Sequence, residues 1–417
     1  MRRIVVPSKV NGEIPAPPSK SITQRTIAAG LLSDGETIIY NPSYCDDAVA
    51  AMSIATGLGA KVEPSRDKIK ISGSTGLKEN KIHCGESGLA ARMFSPIASL
   101  FPEEIIVNGS GSLKNRPLGM IEEALNQFGV SCETNNGFLP IKLRGPLRGG
   151  KCTIDGSLSS QILTGLLMAL PIAEGDSEVE VANLKSKPYI DMTLKLIDDF
   201  GIEIRRSGYN YFWIKGNQRF KAREYSVESD WSGGAFLLVA GAINGPLRVK
   251  GLSMSSQQSD KAILTALDKA GAKMVITGDY IEVYKGEMIS FEFDATDAPD
   301  LFPPLAVLAA YCNGTSAIKG VNRLINKESN RSTAIVEEFS NLGVKVEIVD
   351  DYMLITGGPV FGGETASRND HRIAMALAVL ALKAGGEVHI KDSHAVSKSY
   401  PTFFDDLRSI GVKVIDK

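Results

Sequence analysis

The sequence predicts an α/β protein of two domains, each made of three similar units. Two observations carry this. A glycine that follows an amphipathic helix and opens a short alternating strand recurs at Gly59, Gly129, Gly201, Gly271, Gly343 and Gly411, with spacings of 70, 72, 70, 72 and 68 residues. A second helix, rich in Ala and Leu and apolar on most faces, recurs at the same period. Repeats of this kind stack, and a helix apolar all round needs neighbours on every side.

Within each unit the order reads as buried helix, strand, amphipathic helix, strand, with room for further short strands. The buried helices are expected over residues 21–32, 87–100, 160–173, 232–243, 300–311 and 371–384, with strands such as 37–40, 105–107, 178–181, 247–249 and 388–390 after them. Gly at the end of each amphipathic helix suits a left-handed turn. The domain boundaries are expected at 14–227 for the first domain and 1–13 plus 228–417 for the second, so that the first strand, Arg2–Pro7, completes the last unit and the chain crosses between domains twice.

Composition narrows the class. The chain has 417 residues, 43% of them apolar and 23% charged, with a formal net charge of −2. That balance fits globular domains and argues against a general nucleic-acid binder. The five cysteines (Cys45, Cys84, Cys132, Cys152 and Cys312) are scattered and never form a Cys-x-x-Cys pair. They read as reduced thiols of a cytoplasmic protein, and no metal ligand set is expected. No stretch reads as a signal peptide or a membrane span.

The informative residues precede the apolar helices. The first helix begins at Pro17-Pro18-Ser19-Lys20-Ser21 with Arg25 one turn on. The later ones begin at Gly85-Glu86-Ser87-Gly88 with Arg92, at Ser159-Ser160-Gln161, at Asp230-Trp231-Ser232, at Pro299-Asp300 and at Asn369-Asp370-His371-Arg372. Ordinary helix caps would explain the Ser and Asp residues. They do not explain Lys20, Arg25, Arg92 and Arg372, because a cation at a helix N-terminus opposes the dipole unless an anion neutralises it. Further cations stand in loops: Arg116 before Pro117, Lys327 and Arg331 around Glu328-Ser329-Asn330, and Lys398. If the helices of each domain run parallel, their mouths converge, and two facing domains would enclose a cleft suited to a ligand with several anionic groups.

These motifs, in this order and over essentially the whole chain, resemble the EPSP synthase (3-phosphoshikimate 1-carboxyvinyltransferase) family of enolpyruvyl transferases. The residues that carry the resemblance are Ser19-Lys20-Ser21 with Arg25, Glu86-Ser87-Gly88 with Arg92, Asn115-Arg116-Pro117, Ser159-Ser160-Gln161, Ser186 to Asp191, Asp300, Lys327 to Arg331, Asn369 to Arg372, and Lys398. The resemblance implies a two-domain inside-out α/β barrel, each domain three βαβαββ repeats around buried parallel helices, with the active site in the cleft between domains that close around ligand. It implies transfer of the carboxyvinyl group of phosphoenolpyruvate to the 5-hydroxyl of 3-phosphoshikimate, through a tetrahedral intermediate, in aromatic amino-acid (chorismate) biosynthesis. No cofactor is implied. Glyphosate is the competitor typical of the family, and a cytoplasmic monomer is expected.

The resemblance also implies roles. Lys20, Ser21, Arg25, Ser159, Ser160, Gln161, Ser186, Tyr189, Asp300 and Lys327 match contacts to 3-phosphoshikimate. Lys20, Gly88, Arg92, Arg116, Gln161, Arg331, Arg372 and Lys398 match contacts to phosphoenolpyruvate. Asp300 is the expected base at the hydroxyl; Glu328 with Lys20 serves the proton at carbon, and Lys398 completes the catalytic set. Three positions depart from the common pattern: Glu86 for Asn, Leu89 for Thr and Asn330 for Asp, and the first adds a negative charge near the expected phosphoenolpyruvate pocket. Two alternatives remain. The sister enzyme acting on UDP-N-acetylglucosamine typically carries Lys-Asn at the first helix mouth and a loop Cys, whereas this chain has Lys20-Ser21 and Arg116. A non-catalytic protein on the same scaffold would not need Lys20, Asp300, Glu328 and Lys398 together.

Overall fold

The structure, a computed structural model, describes residues Met1–Lys417. It divides into two compact units, Pro18–Val227, and Met1–Pro17 with Glu228–Lys417. Residues 14–17 therefore belong with the second unit and not with the first, because strand Glu13–Pro15 pairs in parallel with Leu247–Lys250. No helix is long and apolar enough to cross a membrane.

In Pro18–Val227 the helices are α1 (Lys20–Leu32), α2 (Asp46–Gly57), α3 (Gly88–Ala98), α4 (Gly119–Gln127), α5 (Gln161–Ala169) and α6 (Lys187–Asp199). Every residue of α3 is buried, as is every residue of α1 from Ile22 to Leu31 and of α5 from Ile162 on. Small side chains let them approach. Pro96 inside α3 has no N–H for the carbonyl of Arg92 four residues back. Gly165 of α5 faces that same carbonyl: a Cβ there would lie 2.6 Å from the Arg92 oxygen. The alternate helices are one-sided, as α6 shows by burying Ile190, Met192, Thr193, Leu196 and Ile197.

Three four-stranded sheets pack with these helices into one apolar cluster. Residues 81–144 and 151–214 each run strand, helix, strand, helix, strand, strand, the predicted βαβαββ order. Each sheet is a parallel pair extended by two antiparallel pairings; in one, Lys81–His83 runs parallel to Glu104–Asn108, which pairs with Phe138–Arg144, and that with Ser131–Asn135. Phe138–Arg144 alternates exposed and buried residues, with Leu139, Ile141 and Leu143 inward, as a strand with one covered face must. The first repeat borrows its leading strand from the far end of its unit: Glu224–Ser226 runs parallel to Glu36–Tyr40.

The other unit repeats the plan with α7 (Trp231–Asn244), α8 (Ile263–Lys269), α9 (Phe302–Ala310), α10 (Arg331–Ser340), α11 (His371–Ala381) and α12 (Phe403–Ser409). The buried helices are α7, α9 and α11. Here the chain's start supplies two strands. Glu13–Pro15 opens one sheet, and Arg2–Val6 lies antiparallel to both Val388–Lys391 and Lys413–Asp416. All six repeat glycines have positive φ, between 76° and 99°, which is the left-handed helix ending that Gly favours.

Helix ends differ from expectation where proline intervenes. The third buried helix stops at Ala169, two residues before Pro171, instead of running to residue 173. The fifth begins as a single 3-10 turn, Pro299–Leu301, and becomes α-helical only from Phe302. Pro303 and Pro304 fall in its first turn, where no N–H is needed. The sixth, with no proline nearby, ends at Ala381 instead of residue 384, ahead of Gly385-Gly386.

Candidate functional site

In Pro18–Val227 the mouths of the three buried helices meet. Ser19 caps α1, its Oγ accepting from Ile22 N at 3.4 Å, and Ser87 caps α3, its Oγ accepting from Ala90 N at 3.2 Å. The Ser87 hydroxyl also donates to Gln24 Oε1 at 3.0 Å, which ties the first mouth to the second. Arg92 NH1 donates to Gln161 Oε1 at 3.1 Å, which ties the second to the third.

Two groups of residues form there. In the first, Arg25 is 1% exposed and held by neutral oxygens: Nε donates to Thr193 Oγ1 at 2.9 Å and NH1 to the Ser21 carbonyl at 3.0 Å. Burial pushes its guanidinium down to about 10, with Tyr189 opposing, so it keeps its charge at neutral pH. Tyr189 lies one turn before Thr193, whose hydroxyl donates to the Tyr189 carbonyl at 2.8 Å and lies 3.3 Å from Thr164 of α5. Ser186, buried, caps α6 in the left-handed region at φ 55°. Ser160 precedes α5 with its carbonyl bonded to Thr164 N, while Ser159 Oγ accepts from Gln161 N at 3.2 Å.

In the second group Arg92 reaches out of α3. NH1 donates to the Gly88 carbonyl at 3.3 Å and NH2 to the Pro117 carbonyl at 2.8 Å. Arg116, 8% exposed, lays its guanidinium against Gly88, where a Cβ would sit 2.7–2.8 Å from NH1, Cζ and NH2. Only glycine leaves room for that approach. Lys20 has an ionic partner: its Nζ pairs with Asp47 Oδ2 at 3.0 Å.

The helix mouths of the other unit converge on carboxylates. Asp300, in the turn before α9, accepts from Arg331 NH1 at 2.8 Å and Lys327 Nζ at 3.4 Å through Oδ1, and from Arg372 NH2 at 3.0 Å through Oδ2. Arg331, 1% exposed, also donates to Glu328 Oε2 at 2.5 Å and to both oxygens of Asp370 at 2.8 and 3.3 Å. Burial pulls its proton affinity down, but Asp370, Glu328 and Asp300 outweigh that and raise it. Asp370 is fully buried and caps α11 through Arg372 N at 2.9 Å. Lys398 donates to the Asn369 carbonyl at 2.6 Å, and burial lowers the Lys327 amine.

The cations that oppose their helix dipoles are thus neutralised in part by the chain itself, through Asp47, Asp300, Glu328 and Asp370. Glu328, Asp370 and His371 bring possible metal-ligand atoms within 4.8 Å of one another. The Arg331 guanidinium sits on both carboxylates and supplies the charge that an ion would.

Three contributors escaped the sequence reading. Asp47 reads as an ordinary acidic residue in the first turn of α2. Asp260, 1% exposed, accepts from the Ser232 hydroxyl at the mouth of α7; burial first, then the charge of Asp300, raise its carboxyl to about 6. Ser112 holds Glu86. None stands at a motif spacing; only the fold brings them to the helix mouths. The departure at Asn330 is locally neutral, since the amide oxygen caps α10.

Cations at the buried helix mouths of the first, second and sixth repeats, with Arg331 and Lys327 gathered on Asp300 at the fifth, define an α/β scaffold suited to anionic ligands. The sequence pattern of the EPSP synthase (3-phosphoshikimate 1-carboxyvinyltransferase) family matches residues 4–407. The chain is 37% identical over 420 residues to the 3-phosphoshikimate 1-carboxyvinyltransferase of Clostridium novyi (strain NT), covering 98% of this chain and 97% of that one. It is 39% identical over 402 residues to the enzyme of that name from Thermococcus kodakarensis, covering 96% and 98%. An EPSP synthase structure from Acinetobacter baumannii superposes with a TM-score of 0.82 at 25% identity, covering 100% of both chains. The chain belongs to the EPSP synthase family.

Proposed function

We infer that this family member transfers the carboxyvinyl group of phosphoenolpyruvate to the 5-hydroxyl of 3-phosphoshikimate and releases phosphate, in aromatic amino-acid biosynthesis. The observation that carries the reading is the set Arg25, Arg92 and Arg116, buried guanidiniums at the N-terminal ends of buried helices. Both substrates bear a phosphate and a carboxylate, which such groups bind bidentately.

The reaction joins the 5-oxygen to C2 of the donor. The hydroxyl loses its proton and the C3 methylene gains one, giving a tetrahedral intermediate. Phosphate then leaves C2 and a proton leaves C3, restoring the double bond. Asp300 is the proposed base. Arg331, Arg372 and Lys327 hold its carboxylate in place. A donor anion would compete with that carboxylate for Arg331 and Arg372. Glu328 with Lys20 is the proposed route for the carbon proton, and Lys398 with Arg331 and Arg372 the proposed grip on the leaving phosphate.

The remaining assignments extend the proposal. Ser21, Arg25, Ser159, Ser160, Ser186, Tyr189 and Lys327 hold 3-phosphoshikimate; Gly88, Arg92 and Arg116 hold the donor; Lys20 and Gln161 touch both. Monomeric state, cytoplasmic location and glyphosate competition against phosphoenolpyruvate belong to the same reading. The test is phosphate release, which should require both substrates together. Release with UDP-N-acetylglucosamine in place of 3-phosphoshikimate, or none with the pair, overturns it.

A further inference from the structure

Glu86 sits between strand Lys81–His83 and the cap of α3. Its Oε2 accepts from both the backbone N–H and the hydroxyl of Ser112, each at 2.9 Å. The neighbouring Gly85 carbonyl accepts from Ser110 N at 2.8 Å. Between these bonds Gly111 takes φ +51°, and a Cβ there would fall 2.2 Å from the Glu86 carboxyl carbon. Three hydrogen bonds and a bare glycine thus fasten residues 110–112 to residues 85–86. The fastened segment enters the 3-10 turn Gly111–Asn115, and the next residue is Arg116, whose guanidinium rests on Gly88. The stretch 85–88 therefore holds both the start of the loop and the side chain at its end.

We propose that Glu86 is a positioning residue: it fixes the Gly111–Asn115 turn and so aims Arg116 at phosphoenolpyruvate. This rests on the reading of Arg116 as a donor contact. The negative charge is directed onto the two donors of Ser112, where a charged acceptor bonds more strongly than an amide. A shorter, neutral Asn would reach less far and hold less firmly. Glu86 thus raises donor affinity through Arg116, although a carboxylate beside an anion pocket would by itself lower it.

Steady-state kinetics on the full chain test this. Glu86→Ala should raise the KM for phosphoenolpyruvate about tenfold and leave that for 3-phosphoshikimate within about twofold. Glu86→Gln, which keeps an acceptor oxygen, should recover most of the loss, and Ser112→Ala should raise the donor KM about threefold because the backbone donor remains. Because the effect runs through Arg116, Glu86→Ala should add less than about twofold in an Arg116→Ala background. An unchanged donor KM in Glu86→Ala, or the same factor in both backgrounds, overturns the inference. If Arg116→Ala itself leaves the donor KM unchanged, the assignment of Arg116 fails and takes the inference with it. If Arg116→Ala raises that KM and Glu86→Ala does not, the inference alone fails. Should Glu86→Ala not fold, an unchanged donor KM in Ser112→Ala overturns it.

Discussion

Arg331 and Asp370 form an ion pair sealed from solvent: Nε to Oδ2 is 2.8 Å, with side chains 1% and 0% exposed. The pair joins the start of α10 to the cap of α11 and sets the plane in which Arg331 reaches Asp300. Removing one partner leaves a buried charge behind. Asp370→Ala should cost about 3–5 kcal/mol, with about 1 kcal/mol more for the lost cap. Asp370→Asn keeps a capping oxygen and should cost less. Urea unfolding measures both; equal losses would show that the cap contributes nothing, and losses of no more than about 1 kcal/mol in both would show that the charge pair is not the source.

Asp300→Ala removes the proposed base while leaving the cations in place. A positioned base contributes about 10²–10⁴-fold, so kcat should fall by that order while substrate dissociation constants change little. Equal losses in turnover and binding would remove Asp300 from that role.

Gly88→Ala places a methyl group where the Arg116 guanidinium lies, within 2.7–2.8 Å. The long side chain can swing away at little cost to stability. The expected result is a higher KM for phosphoenolpyruvate, an unchanged KM for 3-phosphoshikimate and an unaltered melting temperature. A fall in melting temperature with no change in KM would contradict it.

Gly165→Ala meets backbone instead: its Cβ would lie 2.6 Å from the Arg92 carbonyl oxygen and 3.0 Å from Met93 Cα. Helices α3 and α5 would have to separate, at about 1–3 kcal/mol. Thermal unfolding should show the loss, and its absence would mean that the two helices adjust freely.

Asp260 gives a pH signature. Its folded carboxyl lies at about 6, against an ordinary value of 3.8. Between those values the folded state binds more protons than the unfolded chain, so stability falls as pH rises through this window and the loss is complete above about 6. Asp260→Asn should flatten that part of the profile and gain most over wild type at neutral pH. A profile unchanged by the substitution would contradict the burial argument.

The repeat was legible because it is written in local chemistry. Six glycines at left-handed helix ends and six Ala/Leu-rich helices follow from turn sterics and burial alone. The cations at helix mouths stood out because they violate the dipole rule. What neutralises them was not legible. Asp47, Asp260 and Ser112 meet their partners only through packing, and Glu86 reads in the sequence as a charge facing an anion pocket, whereas the Ser112 N–H and hydroxyl both donate to it. The roles of Ser186 and Tyr189 rested on resemblance, since a loop cap and a half-buried ring carry no chemical signature of their own.

Strand Arg2–Val6 is synthesised long before both of its neighbours, Val388–Lys391 and Lys413–Asp416, which lie about 400 residues further along the chain. The unit Pro18–Val227 draws its last strand from Glu224–Ser226 and can close as soon as that segment emerges. Synthesis therefore finishes one half while the other holds an apolar strand waiting for its partners, and the emergence of Val388–Lys391 and Lys413–Asp416 decides when this half becomes resistant to proteases and safe from aggregation.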